Sequence, residues 1–184
     1  MDLGGGMTAD PGMRAVAALC GSALVALVVA APVRASATGV DDFAGTWVRS
    51  ERERDDAARD AMIVRATEPM SFAFRGFARG VMRRRMVPTE RYVVERAEGT
   101  LQIRNDKGVV LPLDGRPHVT QPDREVTARL TDAGEIEQVW KEGDSHGIST
   151  WRLNADGRLV ISQHVVDSHF DAPLEYSTTY RRAE

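Results

Sequence analysis

The chain has 184 residues, with 24 Lys and Arg against 27 Asp and Glu and a formal net charge of −3 at pH 7. That balance excludes a general nucleic-acid binder, whose phosphate contacts need a net basic surface. The single cysteine, Cys20, lies in an apolar N-terminal run, so the rest of the chain has neither disulfides nor thiol chemistry.

Ala15 to Ala31 is apolar apart from Cys20, Gly21 and Ser22, and Ala35-Ser36-Ala37 supplies an A-x-A cleavage pattern. The run is short for a membrane span, and Pro32 and Arg34 end it. Residues 1–37 therefore read as a secretory signal peptide and 38–184 as one domain, periplasmic or secreted. A start at Met13 would place Met13-Arg14 directly before the apolar run, a better n-region than one containing Asp2 and Asp10. Leu19 before Cys20 departs from the small residue that precedes a lipoprotein cysteine.

Thr38 to Asp42 is a linker, and Phe43 to Ser50 reads as the first strand, centred on Trp47 and Val48. A helical insert follows over about residues 52–87. Asp55 and Asp56 suit a helix start, and a first helix is expected from Asp55 to Thr67. In the second segment, begun by Pro69 and ended by Pro88, Met70, Phe74, Phe77 and Val81 share one helical face. Arg75, Arg79 and Arg83 recur every four residues on a neighbouring face. From Pro69 to Thr89 there is no acid. Gly76 and Gly80 weaken the helix by about 1 kcal/mol each relative to Ala, and would permit another backbone to approach closely.

From Tyr92 onward, alternating apolar residues are broken by turn signals at roughly ten-residue spacing, the mark of a barrel or sandwich. Asn105-Asp106-Lys107-Gly108, Asp132-Ala133-Gly134, Glu142-Gly143-Asp144 and Asn154-Ala155-Asp156-Gly157 are hairpin signals. Pro117 and Pro122 flank a loop or irregular edge. Tight turns joining neighbours predict a mainly β fold: one antiparallel up-and-down barrel of about eight to ten strands with a two-helix insert between strands 1 and 2.

The residues Phe43-Ala44-Gly45-Thr46-Trp47, the terminal Tyr180-Arg181-Arg182 and the helical pair after the first strand resemble the calycin superfamily, in its lipocalin-like and fatty-acid-binding-protein-like forms. The G-T-W, the repeated Asp-Gly turns and the terminal Tyr-Arg also resemble bacterial secreted lipocalin-like proteins. The resemblance implies that Arg181 or Arg182 packs over Trp47 to close the barrel floor. It implies a portal lid formed by the helices. Fatty-acid-binding proteins hold a carboxylate with Arg-x-Tyr on the last strand; here Thr178 stands where that arginine would be. Arg129 and Arg152 would substitute only if they point inward, and alternation with Val126, Ala128 and Leu130 places Arg129 outside.

The expected function is binding of a small hydrophobic or amphipathic molecule by a monomer, with Phe74, Phe77, Tyr92, Trp140, Trp151, Tyr176 and Tyr180 lining the interior. Phe74 and Phe77 would face the cavity. Arg75, Arg79, Arg83 and Arg84 would meet solvent or an anionic membrane surface. The alternatives are a structural envelope protein with a filled barrel, or a haem-binding barrel using His164. No metal or cofactor is expected, since His118, His146, His164 and His169 lack ligand spacing. No enzymatic activity is expected either. Asp144-Ser145-His146 reads as a hairpin turn without a nucleophile elbow, and Glu135 and Glu137 read as a solvated face beside Lys141. Mass spectrometry of the exported protein should find an N-terminus near Thr38; an intact Met1 on a cytoplasmic protein would overturn the export reading.

Overall fold

A computed structural model describes residues 39–184 except Glu98, and the signal-peptide, Cys20 and cleavage-site expectations lie outside the described residues. A 3-10 turn, Val40–Phe43, leads into β1 (Gly45–Arg49). Two helices follow, α1 (Arg52–Thr67) and α2 (Phe72–Arg85). The remainder is a meander: β2 (Arg91–Ala97), β3 (Thr100–Asn105), β4 (Val110–Pro112), β5 (Pro117–Gln121), β6 (Arg124–Leu130), β7 (Ile136–Glu142), β8 (Ser145–Leu153), β9 (Leu159–Asp167) and β10 (Leu174–Arg182). The linker expected before the first strand is thus partly ordered as the 3-10 turn.

All ten strands join one antiparallel sheet in the order β4-β3-β2-β1-β10-β9-β8-β7-β6-β5. The first and last strands pair in the middle of this order, with Trp47 opposite Arg182 and Arg49 opposite Tyr180. The sheet curls until its two edges, β4 and β5, meet at a seam. No ladder bonds join those edges. The Gly115 amide donates to Ala128 O at 2.9 Å, and Leu111, Val126 and Ala128 pack together beside Leu113 and Trp140. Pro117, which has no N–H to donate, sits on the edge strand where a missing ladder bond costs least.

The barrel floor is built from the G-T-W segment. Trp47 is fully buried and its Nε1–H donates to Phe43 O at 2.8 Å. The Arg182 guanidinium lies 4.8 Å from the Trp47 ring centre and donates to Ala44 O and Asp42 O at 2.7 and 2.8 Å. It therefore combines a cation–π contact, worth roughly 0.5–2 kcal/mol, with satisfaction of the carbonyls of the 3-10 turn. Arg182, rather than Arg181, performs this closure: it shares the inward face with Trp47, whereas Arg181 pairs with Val48 on the outward face. Gly45 is required here, with φ +134°, because a Cβ would sit 3.0 Å from Arg182 Nη1. The fold is a nearly closed antiparallel up-and-down barrel of ten strands with two helices between β1 and β2.

At the opposite end, β1 stops at Arg49 while β10 still has residues without a strand beside them. α1 takes that place. The buried Asp55 carboxylate accepts the Thr179 amide at 2.7 Å, and Ser50 N donates to Thr179 O at 3.0 Å. Arg49 is inward and buried, and it donates to Asp56 at 2.7 Å and to Glu90 at 3.4 Å. That hydrogen bond from Arg49 holds Asp56 below the usual carboxylate range, against the opposing effect of burial. Gly76 has nothing near its missing Cβ and Gly80 only the end of Arg84, so neither glycine serves the close backbone approach expected of it.

Replacing Asp55 with Ala should cost about 1–3 kcal/mol of stability, because it strands the buried Thr179 N–H without an acceptor. Denaturant unfolding measures this; a change within about 0.5 kcal/mol, the range of an ordinary surface substitution, would show that the bond is not structural.

Candidate functional site

Strand register arranges the barrel interior in layers. One layer contains Thr178, Ile161, Trp151, Ile136 and Leu130, each opposite the next across a strand pair. Together with Tyr180, Leu159 and Val94 it forms an apolar floor filled by side chains. Tyr92 meets Trp151 edge-on at 4.7 Å between ring centres and Tyr180 at 5.3 Å.

One step toward the helices, the composition changes. The next layer is Tyr176, Gln163, Ser149, Gln138 and Ala128. Ser149 Oγ donates to Gln163 Oε1 at 2.6 Å. Gln138, Gln163 and Tyr176 are half-buried. The layer above it, at the mouth, is Leu174, Val165, Gly147, Trp140, Val126 and His118. Gly147 is obligatory at this level: a Cβ there would lie 2.8 Å from the Trp140 ring and 2.7 Å from His164 O. The glycine lets the indole lie against the wall.

Two guanidiniums near the mouth act electrostatically on Tyr176. Arg124 lies 4.8 Å from the centre of the Trp140 ring and reaches Glu142 at 3.4 Å. Arg59 projects from α1 with its side chain 13% exposed, held by Asp56 at 2.9 Å. Its buried Nε has no partner among the described residues, and neither does Trp151 Nε1. Burial pushes the Tyr176 hydroxyl up to about 12, Tyr92 adds to the rise, and Arg59 and Arg124 oppose it. Burial likewise raises Tyr92 and Tyr180. The Tyr180 hydroxyl donates to Thr89 O at 2.9 Å.

The helical pair meets the barrel through Met62, Ile63 and Met82, which pack on Leu174 beside Val165, Phe170, Tyr176 and Met86. Phe74 and Phe77 are absent from this contact. They are 68% and 71% exposed, on the side away from the barrel, which reverses the expectation that they face the cavity. The arginine stripe takes the inward position instead. Arg75 donates to Glu68 O and Met70 O at 2.7 and 3.1 Å, Arg79 donates to Thr67 Oγ1 at 2.9 Å, and Arg83 pairs with Asp60 at 3.4 Å. The C-terminal carbonyls of α1 lack intrahelical donors and carry the negative end of the dipole, so they attract guanidiniums more strongly than they attract phenyl rings. Three of the four arginines assigned to solvent or an anionic surface are thus spent on joining α2 to α1; Arg84 remains exposed.

The other expectations sort by strand face. Tyr92, Trp151 and Tyr180 belong to the floor, while Trp140 and Tyr176 line the upper interior. Arg129 and Arg152 point outward and pair with Glu137 and Glu135 at 2.7 and 2.5 Å, which also occupies that carboxylate pair. His164 lies on the outer wall, bonded to Glu175 at 2.9 Å, so it cannot ligate a haem held inside. Ser145 Oγ donates to Asp167 at 2.5 Å and His146 lies on the exposed face, so Asp144-Ser145-His146 is the end of the hairpin turn running into β8, with the serine and histidine on opposite faces of the strand. Among the described residues no three His, Cys, Asp or Glu side chains converge as a metal site.

Sequence reasoning missed Arg59, Arg124, Gln138, Ser149 and Gln163 as a group. A signal was present: a polar residue sits between apolar neighbours on the inward face of three consecutive strands, as in Ile136-Gln138-Trp140 and Ile161-Gln163-Val165. Only the register shows that the three polar residues are level.

No protein-family model matches the chain, and no curated protein matches it. Among solved structures it is similar to the wild-type fluorescent protein UnaG, at 15% sequence identity and a TM-score of 0.49, over 79% of this chain and 100% of that one. The barrel assignment rests on this chain's own strand order.

The chain has three tyrosines, and the pKa of each is raised in the fold. A group whose folded pKa lies above its unfolded value contributes stability that is complete below the unfolded pKa and is lost as pH rises toward the folded one. Stability should therefore fall from about pH 10 upward. Tyrosinate absorbance should stay absent in the folded protein near pH 10.5 and appear on unfolding, Tyr176 following at about 12 if the fold survives. Ordinary titration of even one tyrosine in the folded protein would contradict the packing described.

Proposed function

We propose that this protein is an exported, monomeric binding protein for a small amphipathic molecule held in the upper half of the barrel. The observation that carries the reading is the level polar layer of Tyr176, Gln163, Ser149 and Gln138 within an otherwise apolar interior. Buried polar groups cost free energy unless they are hydrogen-bonded, and only the Ser149–Gln163 bond satisfies this layer internally. A ligand with a polar group at that level and an apolar body against Trp140, Val165 and Leu174 suits the layering. Arg59 and Arg124 favour a ligand whose polar group is anionic, a carboxylate above all. Their placement differs from the Arg-x-Tyr clamp, since Thr178 is buried in the floor.

The helical pair acts as the lid, through Met62, Ile63, Met82 and Met86 rather than through phenylalanines. Binding rather than catalysis is supported by where the reactive side chains stand: Ser145 is bonded to Asp167 at the rim, and His164, Glu137 and Glu135 on the outer wall are bonded to Glu175, Arg129 and Arg152. The filled floor, with Trp151 and Tyr180 each 1% exposed, favours a second reading as a structural envelope protein.

Gentle purification from the native host followed by mass spectrometry of extracted small molecules distinguishes the two. The binding reading expects a co-purifying amphiphile. Arg59→Gln and Arg124→Gln should each weaken binding of a fluorescent long-chain carboxylate about tenfold, and binding of its methyl ester far less. An empty protein that takes up neither probe would leave the structural reading standing.

A further inference from the structure

α2 presents two chemically different faces, and the barrel uses only one. Arg75, Arg79 and Arg83 hold it to α1, and Met82 is its one buried residue. The opposite face carries Phe74 and Phe77, 68% and 71% exposed, aligned with half-buried Val81 at three- and four-residue steps. Phe72, at the first position of the helix, is 91% exposed. Arg84 and Arg85 follow on the same side and are exposed, and neither forms an ion pair or hydrogen bond with any described residue. The segment from Pro69 to Thr89 contains no acid to neutralise them. Large exposed aromatics in a cluster mark an interaction surface rather than ordinary surface scatter.

We infer that the outer face of α2 docks on an anionic lipid bilayer, with Phe74 and Phe77 entering the headgroup–acyl boundary and Arg84 and Arg85 meeting the lipid phosphates. The charge is complementary: two uncompensated guanidiniums next to the phenyl rings match a surface that offers anionic groups above an apolar layer. The geometry is that of a helix lying on the surface, since no helix among the described residues is long and apolar enough to cross a membrane. The stripe of arginines that the sequence pattern offers to the membrane is consumed within the lid. Contact is carried by the phenylalanine face instead, and this depends on no property of the barrel interior.

The test uses the protein as its host produces it, with vesicles of phosphatidylcholine alone and of phosphatidylcholine with about 30% phosphatidylglycerol. Wild type should co-sediment with the anionic vesicles and not with the neutral ones, and raising salt to about 0.5 M should release it. Phe74→Ser with Phe77→Ser should reduce binding about tenfold or more, and Arg84→Gln with Arg85→Gln at least about fivefold. Phe77→Trp should show a blue-shifted emission on anionic vesicles only. These positions are exposed, so circular dichroism should find the variants folded. Equal binding to both vesicle types, undiminished binding by the phenylalanine-to-serine variant, or an emission from the Phe77→Trp variant that does not shift would overturn the inference. A wild-type dimer that the phenylalanine-to-serine variant dissolves, with vesicle binding unaltered, would assign the face to a second copy and overturn it too.

Discussion

The architecture depends on a mismatch between its first and last strands. β1 has five residues and β10 has nine, yet β1 is the strand through which the two ends of the chain meet. Along the unmatched part of β10 the backbone would present amide groups with no ladder partner, a cost that folded proteins avoid. α1 covers that stretch, and Asp55 takes the Thr179 amide that no strand can take. The helices inserted after β1 therefore complete the barrel's closing strand, and they pack on the β9–β10 side.

The charged residues around this junction act as fasteners. Arg49 gathers Asp56 from α1 and Glu90 from the approach to β2, so the start and end of the helical insert converge on one buried guanidinium. Arg52 adds a bond to Glu90 at 2.7 Å. A buried ion pair of this sort fixes geometry more surely than it adds stability, because desolvation consumes much of the Coulomb gain. α2 is joined mainly by the arginine bonds to α1 and by Met82 and Met86. The barrel thus grips α1 along β10, while α2 is fastened chiefly to α1.

The interior divides into an apolar floor and a polar upper layer, and the division follows strand alternation. Every second residue of β7, β8 and β9 points inward; at one level those residues are Ile136, Trp151 and Ile161, and at the next they are Gln138, Ser149 and Gln163. The floor supplies stability and the layer above supplies hydrogen-bonding groups. Arg124 comes from a strand, over Trp140, and Arg59 from α1, held by Asp56.

The sequence alone determined the class of the fold. Period-two alternation and turn residues are local properties, and they specify strands, hairpins and a meander without reference to anything distant. The G-T-W segment and terminal arginines also marked the floor, although choosing Arg182 over Arg181 required the pairing that places Arg182 opposite Trp47. Helical spacing located both helices to within a few residues. It oriented α2 wrongly, phenylalanines inward, because spacing defines the faces of a helix without showing what each face meets, and the carbonyls just beyond α1 take Arg75 instead. The polar layer was equally invisible: Gln138, Ser149 and Gln163 are far apart in the chain, and each looks like a minor interruption in its own strand. Only register, a property of strand pairs and not of strands, brings them level.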